Sequence, residues 1–174
     1  MSATASPGIV VWFTGLPASG KSTLAARVRD RLPERAILLD SDELRDALAT
    51  QRYDAADRDA FYATVGKLAA LLAHQGHVVL VAATAARRAH RDAARALAPR
   101  FVEVHVATPL AECEARDVKG LYARARRGDA PTLPGIGVAF EPPTHPDVTA
   151  RGGHDDAAVE QIVAACRRDR HPAT

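Results

Sequence analysis

One short segment constrains the fold of this chain more than any other feature: Gly15-Leu16-Pro17-Ala18-Ser19-Gly20-Lys21-Ser22-Thr23. It follows the pattern G-x-x-x-x-G-K-[ST], which joins a strand to a helix in proteins that bind nucleotide phosphates. Before it, residues 9–13 form a continuous apolar run that is typical of a strand buried on both faces. After it, apolar residues recur at helical spacing over residues 21–32, and Pro33 is expected to end that helix. The segment therefore predicts a central strand, a phosphate-binding loop and a helix.

The defining positions of this loop have physical reasons. Gly15 and Gly20 allow backbone conformations that cost other residues energy, so that successive N–H groups converge on the phosphates. Lys21 supplies a compact positive charge, and the Ser22 hydroxyl is placed to hold Mg²⁺. We therefore expect every residue from 15 to 23 to belong to an ATP site, with Mg²⁺ beside Ser22.

The loop alone does not separate kinases from GTPases, ATPases or motors. The chain lacks the Asn-Lys-x-Asp pattern that specifies guanine, which argues against a GTPase, and its 174 residues favour a small metabolite kinase. The apolar run at residues 78–82 ends without an acidic residue. Mg²⁺ would then rely on Ser22, phosphate oxygens, water and Asp42.

The rest of the sequence alternates apolar runs with helical patterns. Further strands are predicted at residues 36–39, 78–82 and 102–107, with a weaker one near Val148. Helices are predicted at residues 43–49, 57–74, 87–97, 109–127 in one or two pieces, and 155–168. This alternation predicts a single α/β domain over residues 1–174, a P-loop NTPase-type parallel sheet sandwiched by helices. Residues 128–146 are rich in proline and glycine, and a loop of this length predicts an active-site lid.

Composition narrows the partners. The net charge is +2 and no dense basic run is present, so a nucleic acid polymer is not an expected partner. No apolar stretch approaches the length of a membrane span, and residues 1–8 lack the features of a secretory signal. Two cysteines, Cys113 and Cys166, are too few for a disulfide framework and suit a reducing compartment. The sequence predicts a cytoplasmic protein that acts on a small molecule.

Three further stretches carry a resemblance to a known family. They are Leu39-Asp40-Ser41-Asp42-Glu43-Leu44-Arg45, the pair Asp57-Arg58, and residues 101–122, which include Thr108-Pro109-Leu110 and Lys119-Gly120-Leu121-Tyr122. Together with the phosphate loop, they make residues 9–147 resemble the adenylylsulfate kinases. The resemblance implies that ATP, with Mg²⁺, phosphorylates the 3′-hydroxyl of the anion adenylylsulfate to give 3′-phosphoadenylylsulfate for sulfate assimilation. It also suggests a homodimer.

The resemblance implies roles for individual residues. Asp42 would orient or deprotonate the acceptor hydroxyl and approach Mg²⁺, with support from Asp40. The alternative for Asp42 is the N-cap of a helix that starts at Glu43. Its place at the carboxyl end of a strand, where ligands bind in open α/β sheets, favours the functional role. The predicted catalytic residues are Lys21, Asp42 and Lys119, and Arg116 is predicted to face ATP.

The acceptor site is implied by the same resemblance. Arg45 and Arg58 match positions that hold the phosphosulfate group, with solvated helix-face arginines as the alternative. Tyr53 replaces a family phenylalanine near the adenine and can still stack. The full predicted set is Asp40, Arg45, Tyr53, Arg58, Phe61, Arg88, Leu133 and Ile136.

Departures from the family pattern fall mostly in this acceptor site. They are Asp40-Ser41-Asp42-Glu43 for Asp-Gly-Asp-Asn, Phe61 for asparagine, Ala85-Ala86-Arg87-Arg88 for Ser-Pro-aromatic-Arg, Leu133-Pro134-Gly135-Ile136 for Phe-Thr-Gly-Ile, and Gly137-Val138-Ala139-Phe140-Glu141 for Asp-Asp-Pro-Tyr-Glu. Losing polar groups that hydrogen-bond a substrate lowers its affinity strongly. Two other interpretations therefore stay open. One is a kinase of the same fold with another nucleotide-linked or small-molecule acceptor, and the other is a nucleotide-binding module that has lost catalysis.

Overall fold

The apolar runs of the sequence lie side by side as one parallel sheet. The computed structural model describes residues 7–32, 36–50, 52–117 and 119–168. The strands are β1 (Ile9–Thr14), β2 (Ile37–Asp40), β3 (Val78–Ala82), β4 (Phe101–Val106) and β5 (Val148–Ala150). Their order across the sheet is β2-β3-β1-β4-β5, and every pairing is parallel.

Strand β1 lies at the centre of the sheet, and all of its residues are buried. Val11 is aligned with Leu80 of β3 on one side and with Val102 of β4 on the other. A parallel strand covered on both faces needs a continuous apolar run rather than an alternating one. The prediction of a central buried strand over residues 9–13 is confirmed.

Helices cover both faces of the sheet. They are α1 (Lys21–Arg31), α2 (Ser41–Ala47), α3 (Ala55–His74), α4 (Arg88–Leu97), α5 (Leu110–Arg116), α6 (Leu121–Arg126) and α7 (Asp156–Arg167). On one face, α1 and α7 bury Leu24 and Ile162 against the sheet. On the other face, α3 and α4 pack against Val10 and Trp12 of β1. The predicted parallel sheet sandwiched by helices is confirmed.

The predicted boundaries agree with the structure to within a few residues, with one correction. Helix α2 begins at Ser41 rather than Glu43, because the Asp40 carboxylate accepts a hydrogen bond from Asp42 N at 2.9 Å and is the N-cap. The alternative that Asp42 caps this helix is therefore wrong. Pro33, expected to end α1, lies outside the described residues.

The lid segment, residues 128–146, runs without a helix and packs beside α5 and α6. Its Leu133 is buried in a third apolar cluster with Cys113, Tyr122 and Ala125, and Ile136 packs against that cluster. Leu133 O also accepts a hydrogen bond from Gly137 N at 2.9 Å, which closes a tight turn. Leu16 of the phosphate loop borders the same cluster, so the lid segment and the loop are neighbours.

Within the described ranges, no helix combines the length and the apolarity needed to cross a bilayer.

The burial of Leu24 predicts that α1 is fastened to the sheet mainly by apolar packing. Leu24→Ala should lower the free energy of unfolding by about 2–5 kcal/mol, because it removes a fully buried side chain and leaves a cavity. Leu71→Ala is the matched control, since Leu71 is 57% exposed and the same truncation there should change stability by less than about 0.5 kcal/mol. Urea unfolding followed by circular dichroism measures both. Equal losses would contradict this account.

Candidate active site

The phosphate loop follows β1 at the carboxyl edge of the sheet. Ser19 N donates to Leu16 O at 3.1 Å, which turns the chain back toward α1. Ala18 has φ 60° and Gly20 has φ 101°, both in the left-handed region. A Cβ on Gly20 would lie 2.5 Å from Gly153 N, so only glycine fits there. The backbone conformation expected for a phosphate-binding concavity is present.

Two side chains hold this loop from behind. Thr108 Oγ1 donates to Ser19 O at 2.7 Å, and Tyr122 Oη donates to Pro17 O at 2.9 Å. Both side chains are buried, so these hydrogen bonds are shielded from water. Neither residue was predicted to contact the loop, although both lie in the stretch of residues 101–122 that resembles the family. A signal was available for Thr108, because a polar residue just beyond a buried strand lies at the carboxyl edge of the sheet.

Lys21 occupies the hollow of the loop. Its Nζ donates to Leu16 O at 2.7 Å and to Gly15 O at 3.1 Å. Desolvation lowers the pKa of Lys21 to about 8, and the nearby Cys113, Asp42 and Asp40 oppose that shift in part. The direct acceptors of this ammonium are neutral carbonyls, so polyphosphate would add a counter-charge in direct contact.

Asp40 and Asp42, which lie where strand β2 meets helix α2, have different hydrogen-bond partners. Ser22 Oγ donates to the Asp40 carboxylate, while Lys119 Nζ donates to Asp42 Oδ2 at 2.5 Å. The hydrogen bond to Asp42 is the main reason that the pKa of Lys119 is raised. The structure thus brings together the predicted residues Lys21, Ser22, Asp40, Asp42 and Lys119. Asp40, rather than Asp42, is the carboxylate in contact with Ser22.

Hard oxygen donors for a divalent cation are therefore present beside the loop. A hydroxyl and a carboxylate meet at Ser22 and Asp40, and Mg²⁺ prefers one or two such protein ligands together with phosphate oxygens and water. Across the parts of the chain that the structure describes, no group of three or more His, Cys, Asp or Glu side chains could hold a metal ion without a substrate. The donor set fits Mg²⁺ carried in with a nucleotide.

Arg45 and Phe61 are the two most enclosed of the predicted acceptor residues, and Arg45 is the charged one. It is 4% exposed, and its guanidinium lies 3.9 Å from the ring centroid of Phe61 and 4.4 Å from that of Tyr53. Its Nη1 donates to Arg52 O at 3.0 Å. Phe61, which replaces the family asparagine, therefore packs on this arginine. Contact of Arg45, Tyr53 or Phe61 with a substrate remains a prediction.

The other predicted acceptor residues connect to the lid segment. Arg58 Nη2 donates to Thr132 O at 2.5 Å, and desolvation lowers the pKa of Arg58. Arg88 is exposed, and its backbone N donates to Glu141 Oε2 at 2.8 Å. Arg116, which is predicted to face ATP, is exposed and pairs with Glu112 at 3.3 Å.

Leu133 and Ile136, which belong to the predicted lid over residues 128–146, pack in the apolar cluster of Cys113 and Tyr122. Leu133 is 8% exposed, so most of its surface already has protein neighbours.

Comparison with known proteins gives consistent results. A model of the adenylylsulphate kinase family matches residues 7–151. The adenylyl-sulfate kinase of Shewanella denitrificans is 42% identical over 158 residues, which cover 87% of this chain and 77% of that protein. The structure of the Mycobacterium tuberculosis APS kinase CysC in complex with AMPPNP and APS has a TM-score of 0.84 and 37% identity, covering 91% of this chain and 97% of that one. A hexameric APS kinase from Thiobacillus denitrificans has a TM-score of 0.64 and 25% identity, covering 92% of this chain and 29% of that one.

The desolvated ammonium of Lys21 predicts that ATP affinity depends on pH. ATP phosphates favour the charged form, so the pKa of Lys21 should be higher in the complex than the value of about 8 in the free protein. Between these two pKa values, binding takes up a proton, and the affinity should fall by up to about tenfold per pH unit as the pH rises. Calorimetric titration with ATP from about pH 7 to about pH 10 measures this slope. Lys21→Met should bind weakly with a flat profile, whereas a flat profile for the wild type would contradict the assignment.

Proposed function

This chain belongs to the adenylylsulphate kinase family, and we propose that it transfers the γ-phosphoryl group of ATP to the 3′-hydroxyl of adenylylsulfate, giving 3′-phosphoadenylylsulfate. The observation that carries the proposal is the meeting of Lys21, Ser22, Asp40, Asp42 and Lys119 at the carboxyl edge of the sheet. A phosphoryl transfer site needs little covalent chemistry from the protein and depends on positioning and charge. This group supplies a cradle, cations and a base within one small region.

The ATP half of the site consists of the phosphate loop and the first turn of α1. Residues 15–23 present backbone N–H groups to the β- and γ-phosphates, and Lys21 adds its charge. Ser22 and Asp40 would hold Mg²⁺, which neutralises the negative charge that builds up on the transferred group. Arg116 is proposed to face the nucleotide, and its exposed guanidinium suits an anionic ligand.

Asp42 is the proposed base for the acceptor hydroxyl. Its carboxylate is 62% exposed, so a substrate can reach it, and it accepts a hydrogen bond from Lys119. When ATP binds, the phosphates compete with Asp42 for the ammonium of Lys119. Transfer of Lys119 toward the phosphates would free Asp42 to orient the hydroxyl and take its proton.

The acceptor half would hold the phosphosulfate group of the substrate with arginines and the adenine ring with apolar side chains. Arg45, Arg58 and Arg88 come from α2, α3 and α4, and charge-assisted hydrogen bonds from such residues suit a phosphosulfate group. Tyr53 is 45% exposed and can offer a ring face to the adenine, with Phe61, Leu133 and Ile136 as its apolar surroundings. Residues 128–146 would close over the substrates as a lid.

A second candidate is a kinase of the same fold that phosphorylates another nucleotide-linked or small-molecule hydroxyl. The observation that favours it is Phe61, which packs on Arg45 at a position where the family has a polar residue. The third candidate, a nucleotide-binding module without catalysis, fits poorly with the grouping of Lys21, Ser22 and Asp42.

The oligomeric state and the cellular location of the protein are proposed from the family. We propose a homodimer of a cytoplasmic enzyme made of one kinase domain. The hexameric APS kinase from Thiobacillus denitrificans, 29% of whose chain is matched, supports the proposal that this chain self-associates. Cys113 and Cys166 are both buried and form no disulfide bond, as suits a reducing compartment.

A panel of acceptors tests the proposed reaction. Purified protein with MgATP should release ADP and form 3′-phosphoadenylylsulfate when adenylylsulfate is added, and Lys21→Ala should abolish this turnover. Turnover only with another hydroxyl compound would support the second candidate. Tight ATP binding without transfer to any acceptor would support the third.

The role of Asp42 as base predicts a large kinetic effect with little change in ATP binding. Asp42→Asn should lower kcat by about 10²–10⁴-fold, because the amide cannot take the hydroxyl proton. Asp40→Asn is the comparison variant, and it should weaken the contact with Ser22 and so raise the Mg²⁺ concentration needed for turnover. Steady-state kinetics with varied Mg²⁺ separates the two effects. A near-normal kcat for Asp42→Asn would exclude it as the base.

A further inference from the structure

Arg91 of α4 is a buried cation that the proposed mechanism does not use. It is 1% exposed, and its guanidinium has a partner at each of its three nitrogens. Nε donates to Glu103 Oε1 at 2.7 Å, Nη1 donates to Ala85 O at 2.6 Å, and Nη2 donates to Glu141 O at 2.7 Å. Burying an arginine is costly unless all of its donors are satisfied, so this geometry requires explanation.

The three acceptors belong to three different parts of the fold. Glu103 is in β4, Ala85 is in the loop that follows β3, and Glu141 is near the end of the lid segment. Glu103 also pairs with Arg95 at 3.2 Å, so its charge is balanced without Arg91. Only the planar fork of an arginine can reach two carbonyls and a carboxylate at once. Arginine is therefore required at position 91 because of the carbonyl oxygens of Ala85 and Glu141.

Further hydrogen bonds join the same loop to the lid segment. Glu141 N donates to Ala86 O at 2.8 Å, and Arg88 N donates to Glu141 Oε2 at 2.8 Å. Ala85 itself is fully buried with φ 39°, a left-handed conformation that is unfavourable for alanine. The bond from Arg91 to Ala85 O helps to hold this conformation, which sets the direction of the chain toward Arg88.

We propose that Arg91 is a positioning residue that holds the end of the lid segment and the loop after β3 as one unit. Arg88 then keeps a fixed distance from Leu133 and Ile136. Arg88 on one side and these two lid residues on the other would therefore contact the same acceptor molecule. Arg91 does not touch substrate. The effect on the acceptor rests on the proposed function, whereas the mechanical link between loop and lid does not.

The test compares Arg91→Lys with Arg95→Lys. Lysine at position 91 keeps a positive charge near Glu103 but cannot bond both carbonyls. Arg95 pairs with Glu103 of β4 and with Asp147 at 3.6 Å, and among the contacts described above it makes none to Ala85 or Glu141. Arg95→Lys therefore controls for a weakened ion pair with Glu103. Each variant is measured by hydrogen exchange of residues 136–142 and by steady-state kinetics.

For Arg91→Lys we expect exchange in residues 136–142 to accelerate by about tenfold or more, with exchange in α7 unchanged. The KM for adenylylsulfate should rise by about tenfold or more, while ATP affinity changes by less than about twofold. Arg95→Lys should match the wild type in both measurements. Unchanged exchange in residues 136–142 would overturn the proposal, and so would faster exchange with an unchanged KM for the acceptor.

A second variant covers the case in which Arg91→Lys does not fold. Arg91→Met combined with Glu103→Gln removes both members of the ion pair and leaves no buried charge without its partner. The same changes in exchange and in KM are expected. If the wild type does not turn over adenylylsulfate, the proposed function fails, but the exchange of residues 136–142 still tests the link between loop and lid.

Discussion

The shape of the phosphate loop depends on backbone contacts so close that no side chain fits between them. A Cβ on Gly20 would lie 2.5 Å from Gly153 N, and a Cβ on Gly153 would lie 2.8 Å from Thr23 Cβ. The loop after β5 thus supports the start of α1, while Thr108 and Tyr122 hold the other side of the phosphate loop. Because the amides face a phosphate only in this conformation, the positions of Lys21 and Ser22 depend on it.

The charged side chains beside this loop form an ion pair with each other, and a substrate could take the place of one partner. Lys119 and Asp42 form an ion pair in which both side chains are 62% exposed, and exposed pairs contribute at most about 1 kcal/mol. In the proposed mechanism, ATP would offer several negative oxygens to the ammonium of Lys119, so an exchange of partners would cost little. The strong constraints lie in the backbone of the phosphate loop, and the weak ones lie in the side chains that the proposed mechanism moves.

The sequence predicted the strand and the helix on either side of the phosphate loop well, because their signals are local. A buried strand, a glycine-containing turn and a helix follow each other within residues 9–32, and local propensity determines all three. Asp40 was assigned only a supporting role, although its position directly before Ser41 makes it the N-cap of α2. The burial of Arg45 and the bonds of Arg91 could not be predicted. Arg45 is covered by Tyr53 and Phe61, and Arg91 bonds Glu103 and Glu141. Such contacts between separate elements are not reported by any pattern of neighbouring residues.

The two halves of the site therefore differ in how readily substitutions alter them. The ATP half is made largely of backbone groups, which every residue possesses, and its few side chains contact carbonyls and carboxylates over short distances. The proposed acceptor half is made of side chains, and Phe61 is an example. The ring of Phe61 lies 3.9 Å from the Arg45 guanidinium, and Phe61 is itself 4% exposed within the core. Because cation–π contact uses the face of the guanidinium, its edge is left for hydrogen bonds such as the one from Nη1 to Arg52 O.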